Sequence, residues 1–492
     1  MNKEEFGMEL LGSVSVPVCD KTVSHDATAE LNVPDYLPEI RRLLSITETV
    51  FSPARYVSPS RVECNGNIDH KILYLGVDGG LYCLTDTSEY ETAVPLDSSV
   101  GEGLSEGYTS FAVSTCDGCV GRVTGQRRVS IRSRLKTRVC VFGKDISEGI
   151  SDDGESCLQK LVEKVECCLA FSAEAEPVEL TEEISGAYED ARVAFAHGDA
   201  FVNDVGCSSD SVRLGGDVIL KLLICRDGGA IQPITRKLRF QTEAELDEPC
   251  DGCRVRADAK VTDLTVNVDD GGIKCSLTVA VNVFGAKSGC WQYVADMYST
   301  ESQCKCEYTT LPLPVLAACS NGNFSHSERV QRAETELEAG ANVMDVKGIV
   351  SFDNCEYQDG KYLFSGQCRY TLLWEKDGEY GVTDVALPVK YEVEGRECRD
   401  FTFNATGSLL ECRVRADGDT VAIDAEIGVC ADVWGTVFVN TVKEFSLGDA
   451  LVKDGCSMVV YYPAPDETPW DVAKKYGVRA DSLHAEKNFY VF

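Results

Sequence analysis

The chain repeats itself at a fixed interval, and that constrains its fold more than any local pattern. Three stretches align without gaps, each 150 residues on from the last. They are VECNGNIDHKILYL (Val62 to Leu75), VRLGGDVILKLLIC (Val212 to Cys225) and YLFSGQCRYTLLWE (Tyr362 to Glu375). A long-period repeat means one supersecondary unit built several times. Each copy has glycine at its fifth place (Gly66, Gly216, Gly366), and each is followed by Asp-Gly: Asp78-Gly79, Asp227-Gly228 and Asp377-Gly378. The first copy has one extra residue before its Asp-Gly. Asp-Gly between apolar runs predicts a hairpin, because both central turn residues need positive φ.

A second correspondence closes each copy. VSIRSRLKTRVCVFG ends at Gly143, KCSLTVAVNVFG at Gly285 and TVAIDAEIGVCADVWG at Gly435. All three alternate, which predicts strands with one buried face. That face carries Val129, Ile131, Leu135, Val139 and Val141 in the first copy. In the second it carries Cys275, Leu277, Val279, Val281 and Val283. In the third it carries Val421, Ile423, Ala425, Ile427, Val429 and Val433. The opposite face of the first copy holds Arg132, Arg134, Lys136 and Arg138, and is expected to meet water or a partner.

The expected fold is mainly β: tandem antiparallel β-sandwich or barrel modules with linking helices, and a small C-terminal α+β module. The modules are placed at 58–145, 210–287 and 360–437, and the C-terminal module at 455–492. Residues 146–209 are expected to be a helical linker, since Leu158, Leu161, Val162, Val165 and Leu169 share a helical face. Residues 288–359 are expected to be a linker with one helix in SHSERVQRAETELEAG, capped at Ser325 or Ser327 and ended by Gly340. Residues 1–57 are expected to form an extended segment and then a helix, with Asp35 as cap and Pro38 in its first turn.

With 80 acidic against 47 basic residues the net charge is −33, which repels nucleic acid and anionic membranes. No apolar run is long enough for a membrane helix. MNKEEFGMELLG has no apolar stretch after a basic start, so no signal peptide is expected. The 24 cysteines are scattered through β-like runs of a long chain, a usage that predicts buried reduced thiols and a reducing compartment.

The residues VPDYLPEIRRLL near the start, followed by modules of the pattern V…G…LY…DG and V-x-V-F-G, resemble the SPOCS-domain proteins of spore-forming Firmicutes. The resemblance covers about residues 27–492. VADMYST (Val294 to Thr300) is similar to a segment that follows the module in that family. The resemblance implies a non-enzymatic assembly protein in the cytoplasm of the mother cell, at the forespore surface. It also implies a spore coat morphogenetic ATPase or another coat protein as partner, and no cofactor.

The tail DETPWDVAKKYGVRADSL resembles a LysM module, whose usual ligand is cell-wall sugar. Val459 to Tyr462 are expected to be its first strand. Thr468 caps its first helix, which carries Trp470, Val472, Ala473 and Tyr476 and ends at Gly477. A second helix begins at Asp481, Ser482 and Leu483, and Asn488 matches the asparagine that follows it. FYVF (Phe489 to Phe492) is the candidate second strand. Asp466-Glu467-Thr468-Pro469 departs from the usual Gly-Asp-Thr-Leu, and one residue is added between Leu483 and Asn488. Thr468, Trp470, Tyr476 and Asn488 are therefore the candidate binding residues, for a protein partner or alternatively for the N-acetylglucosamine of peptidoglycan.

Catalytic motifs are weak. GLSEG (Gly103 to Gly107) fits G-x-S-x-G, but its flanks are polar rather than strand and helix. Neither a P-loop nor H-E-x-x-H spacing occurs. CDGC occurs at Cys116 to Cys119 and at Cys250 to Cys253, read as equivalent places of the first two modules. Cys412 is the remnant in the third, and CRVRAD recurs at Cys253 and Cys412. C-x-x-C suits zinc or redox chemistry, but one pair supplies two of the four ligands zinc needs, so a tight Asp-Gly turn between two thiols is expected and no metal site, with zinc or a labile disulfide as the alternatives.

Overall fold

The computed structural model describes residues 8–491 apart from 97–106, 151–156, 189, 209, 227–228, 248–251, 270–271, 453–457 and 487–488. The first module contains β1 (Met8–Asn32), β2 (Ile40–Val50), β3 (Ala54–Val57), β4 (Arg61–Gly76), β5 (Leu81–Pro95), β6 (Tyr108–Gly125) and β7 (Arg128–Ile150). One sheet has β7 between β1 and β6. The other has β4 between β2 with β3 on one side and β5 on the other.

The second module repeats this plan with β8 (Leu158–Glu174), β9 (Val178–Ser185), β10 (Arg192–Cys207), β11 (Ser211–Cys225), β12 (Ile231–Glu245), β13 (Arg254–Asp269) and β14 (Gly272–Ser299). Here β8 and β9 together take the place of β1: β8 pairs with one half of β14 and β9 with the other. Pro177, which lacks a backbone donor, lies at the break. The third module has β15 (Ser302–Gln331), the short helix α1 (Arg332–Thr335), β16 (Asn342–Gln358), β17 (Lys361–Lys376), β18 (Glu379–Glu394), β19 (Arg399–Asp417) and β20 (Thr420–Ala450). Its two sheets touch through β16 and β19 and run as one six-stranded order.

The mainly β fold of tandem antiparallel sheets is as expected. The alternating faces of β7, β14 and β20 are all buried: every one of the sixteen residues named above is at most 7% exposed. The repeated glycine has a steric cause. A Cβ on Gly216 or Gly366 would lie 2.3 Å or 1.9 Å from the carbonyl oxygen of Phe201 or Ser351, where the neighbouring strand bulges; at Gly66 it would strike the Tyr90 ring at 2.6 Å. Asp377 and Gly378 both have positive φ, as the hairpin reading requires; in the first copy only Gly79 of the pair does, so that turn is of a different kind from the one expected. Asp227-Gly228 lies outside the described residues.

The linking helices are corrected. Residues 158–174 are strand β8, SHSERVQ is the end of β15, and of the expected helix at 325–340 Arg332–Thr335 alone is helical. The helix after VPDYLP is strand β2; Arg127 donates to the carbonyls of Pro34 and Leu37 at 2.9 Å and fixes the loop before it. The segments read as linkers are the strands that cover β7, β14 and β20, so each module is nearly as long as the repeat interval. Backbone pairing along a long neighbouring strand outweighs a weak helical preference. Among the described residues no helix is long and apolar enough to cross a membrane.

Candidate functional site

The three modules meet about a common axis, and equivalent residues approach each other there. The aromatic residue before the closing glycine of each repeat comes to one point: Phe142, Phe284 and Trp434. Their ring centroids are 6.1 Å (Phe142–Phe284), 4.9 Å (Phe142–Trp434) and 5.3 Å (Phe284–Trp434) apart. Phe111 stacks on Phe284 at 4.5 Å, and Cys140, Cys168, Ala170, Ala286 and Leu316 complete the cluster. Tilted and offset rings at these distances are a favoured aromatic geometry.

Next to this cluster lies a buried charge network drawn from all three modules. Arg138 donates to both oxygens of Asp20 at 2.8 Å and to Asp432 at 2.5 Å. Arg256 reaches Asp432 at 3.5 Å and Thr406 at 3.1 Å. Arg138, Arg256 and Asp432 are all nearly inaccessible. Burial pushes the Asp20 carboxyl up, but the charge and hydrogen bonds of Arg138 and the Thr402 hydroxyl outweigh it, and the group stays below the usual carboxylate range. This corrects the reading of Arg138 as solvent- or partner-facing. Its partners are Asp20 of its own module and Asp432 of the third.

Beyond the network is a cavity of about 490 Å³ walled by all three modules. Lys136, Lys221, Lys260 and Lys347 line it with Asp117, Asp199, Asp258 and Asp345. A ring of lysine bonds encircles the axis. Lys71 donates to the Ala196 carbonyl at 3.0 Å, Lys221 to that of Val346 at 2.5 Å, and Lys347 to that of Ile46. The acceptors 46, 196 and 346 are spaced at the repeat interval. So the first module holds the second, the second the third, and the third the first. Lys71 and Lys221 are also repeat equivalents. The third module has Thr371 at that place and supplies Lys347 from a different strand.

At the far end the axis is closed by aliphatic residues. Leu73, Leu223 and Leu373 are repeat equivalents and pack with Leu44, Ala194 and Phe195. Arg42 donates to the Tyr380 carbonyl and Arg192 to that of Leu81 at 2.7 Å, again joining equivalent places of successive modules.

The tail is built from β21 (Val460–Tyr461), α2 (Pro469–Tyr476), a 3-10 turn (Ala480–Ser482), β22 (His484–Glu486) and β23 (Phe489–Val491). β23 pairs antiparallel with β21, so FYV is a strand, as expected. The second helix is corrected to a single turn followed by the β22–β23 hairpin. Thr468 is an N-cap: its hydroxyl accepts from the Asp471 amide, and Asp471 accepts from the Thr468 amide, a capping box that occupies the side chain. Gly477 closes the helix at φ 60°.

Trp470 turns toward the body of the protein. Its indole N–H donates to Asp296 at 2.9 Å and its ring meets Tyr298 edge-on at 4.9 Å. Lys474 pairs with the same Asp296 at 2.6 Å, and Tyr298 donates to the Val478 carbonyl at 2.7 Å. Asp296 and Tyr298 belong to VADMYST, so this segment is the seat of the tail. Sequence reasoning marked both pieces without joining them; the carboxylate in an aromatic stretch was the available signal. Tyr476 is 39% exposed and packs edge-on against Tyr461. Asn488 lies outside the described residues.

The two CDGC motifs are not equivalent. The tight turn expected at Cys116–Cys119 is corrected: the motif lies inside strand β6, where a bulge takes up the extra residue, whereas Cys253 precedes β13 and Cys250 lies outside the described residues. Cys412 lies late in β19, so CRVRAD also recurs at unrelated places. Among the described residues no group of three or more His, Cys, Asp or Glu is placed to hold a metal ion, and no disulfide joins the described cysteines. Of GLSEG, only Gly107 is described.

Comparison of the chain with family models, with curated proteins and with solved structures returns no match.

Proposed function

We propose that the protein is a non-enzymatic assembly protein of the SPOCS type, with a SipL-like order of three modules and a LysM-like tail. In this reading it works in the mother-cell cytoplasm at the forespore surface. There it tethers a spore coat morphogenetic ATPase or another coat protein. The observation that carries the reading is the seating of the tail on VADMYST through Trp470 and Lys474. A tail fixed to a three-module body gives a partner a defined position on a large surface, which is what a tether needs. The partner then meets the outward side of the tail, which includes Tyr476, while Trp470 fixes the tail in place.

Peptidoglycan binding is the second reading. It is favoured by the pairing of the tail's first and last strands beside a capped helix, the arrangement that the LysM resemblance implies. A pull-down from sporulating cells separates the two. The bait is residues 1–492 beside residues 1–455, with chitin and peptidoglycan beads in parallel. Retention of a coat ATPase by the full chain alone supports the tether. Retention on the beads without a coat protein overturns it in favour of sugar binding.

A further inference from the structure

A C-x-x-C pair in a regular strand points its two side chains to opposite faces, because positions three apart differ in parity. The pair in β6 escapes this. Its register slips between Cys116, opposite Leu135, and Gly118, opposite Arg134. The extra residue, Asp117, restores equal parity, so Cys116 and Cys119 share a face. Both line the axial cavity and both are half-buried, so the two thiols sit on one face of β6 and open into the same space.

The surroundings come from two modules. Cys116 donates to Glu48 at 3.1 Å. Glu48 is itself held by His70 at 3.0 Å and by Ser133 at 2.5 Å. Asp117 pairs with Lys136 at 3.2 Å, and Lys136 also reaches Asp353 of the third module at 3.4 Å. Lys347 and Arg369 of the third module bring positive charge to Cys119. Cys119 and Lys347 both approach the Ile46 carbonyl. The pair therefore sits where the last module returns to the first, the one contact of the ring that sequence neighbours do not enforce.

We propose that Cys116 and Cys119 are a redox-active dithiol, oxidised to an intramolecular disulfide by a small peroxide such as hydrogen peroxide at the junction of the first and third modules. Cys119 is the attacking sulfur. The neighbouring Cys116 thiol, then Lys347 and Arg369, pull its thiol below the ordinary cysteine range despite burial. Cys116 is pushed up by the neighbouring Cys119, by burial and by Glu48, and so keeps its proton for the second step.

In the first step the Cys119 thiolate forms a bond to one peroxide oxygen, the O–O bond breaks, and the departing hydroxide takes a proton from solvent as water. This leaves Cys119 as a sulfenic acid. In the second, Cys116 passes its proton to Glu48 and attacks the sulfenic sulfur. The S–S bond forms, the S–O bond breaks, and the hydroxide leaves as water with the proton from Glu48. Two thiols lose two electrons and one peroxide becomes two waters. The product cannot donate to Glu48, so oxidation removes one bond from the cluster beside the closing interface.

The chain carries its own control. Cys304 and Cys306 have sulfurs 3.9 Å apart, but burial and the mutual thiols push Cys304 up to about 12. The experiment treats the reduced full chain with hydrogen peroxide, blocks remaining thiols at intervals, and measures each cysteine peptide by mass spectrometry. The expected result is a disulfide within the 116–119 peptide, formed at least tenfold faster than one within 304–306 and reversed by dithiothreitol. Equal or slower oxidation at 116–119, or its pairing with a third cysteine, overturns the proposal. Arg369→Gln is expected to slow the 116–119 reaction about threefold in a chain that still shows the native unfolding transition. An unchanged rate in that variant removes the cationic activation of Cys119 and with it the proposal.

Discussion

The two ends of the axis solve one problem by different means. At one end three aromatic rings meet beside Arg138, Arg256 and Asp432, with charges from all three modules interlocked. At the other, three equivalent leucines pack together, and arginines bond to main-chain carbonyls rather than to carboxylates. The leucine end is non-directional: its contribution follows the apolar area it removes from water. The charged end is directional, since a buried ion that loses its partner is expensive. The difference teaches that the leucines hold the modules together, while the Asp432 network fixes which faces meet.

Four perturbations separate the ends. The largest effect is expected at Asp432→Ala, which leaves Arg138 and Arg256 buried without this counter-charge and should cost about 4 kcal/mol in denaturant unfolding. Adding Arg256→Met to that variant should recover part of the loss; a purely additive pair would show that the charges do not act as a network. Leu223→Ala at the other end should cost about 3 kcal/mol, with no such recovery on pairing with a distant charge.

Asp296→Ala removes the acceptor of Trp470 and Lys474. It should weaken tail docking by about 2 kcal/mol while leaving the unfolding of the modules unchanged, as read by hydrogen exchange in 460–486 against the rest. The same contact should depend on pH. Burial raises the Asp296 carboxyl, but bonds from Lys474, Trp470 and Tyr308 outweigh it and the group lies below 3.8. A depressed carboxyl stabilises fully above its ordinary value and loses that contribution as pH falls through its own lower one. Docking should therefore hold from pH 8 to 5 and fail only under pH 4. The smallest effect is expected at Lys71→Met, about 1 kcal/mol for one bond of the lysine ring.

The interval of 150, the buried faces of three long strands, the turn at Asp377-Gly378 and the cap at Thr468 were all legible in the sequence. They rest on period-two alternation, steric demand and local capping, which act within a few residues. The strands β2, β8 and the end of β15 were not legible. Leu158, Leu161, Val162, Val165 and Leu169 do satisfy a helical period. In the structure Val162 is 51% exposed, while Cys167 and Cys168 are buried. What makes this segment a strand is β14, more than a hundred residues away. The axis was hidden for the same reason. The phenylalanine and tryptophan before the closing glycines read as ends of strands, and nothing local says that three such ends converge. Arg138 read as exposed because its face alternates with a buried one, and only a partner from another module buries it.

Mutual support among three modules also has a consequence in time. The ribosome delivers Phe142 first, Phe284 later and Trp434 last. Until the third module has emerged, the aromatic faces of the first two have no complete cover, and Arg138 awaits the carboxylate of Asp432. The nascent chain must therefore carry an uncovered hydrophobic and charged surface through most of its synthesis.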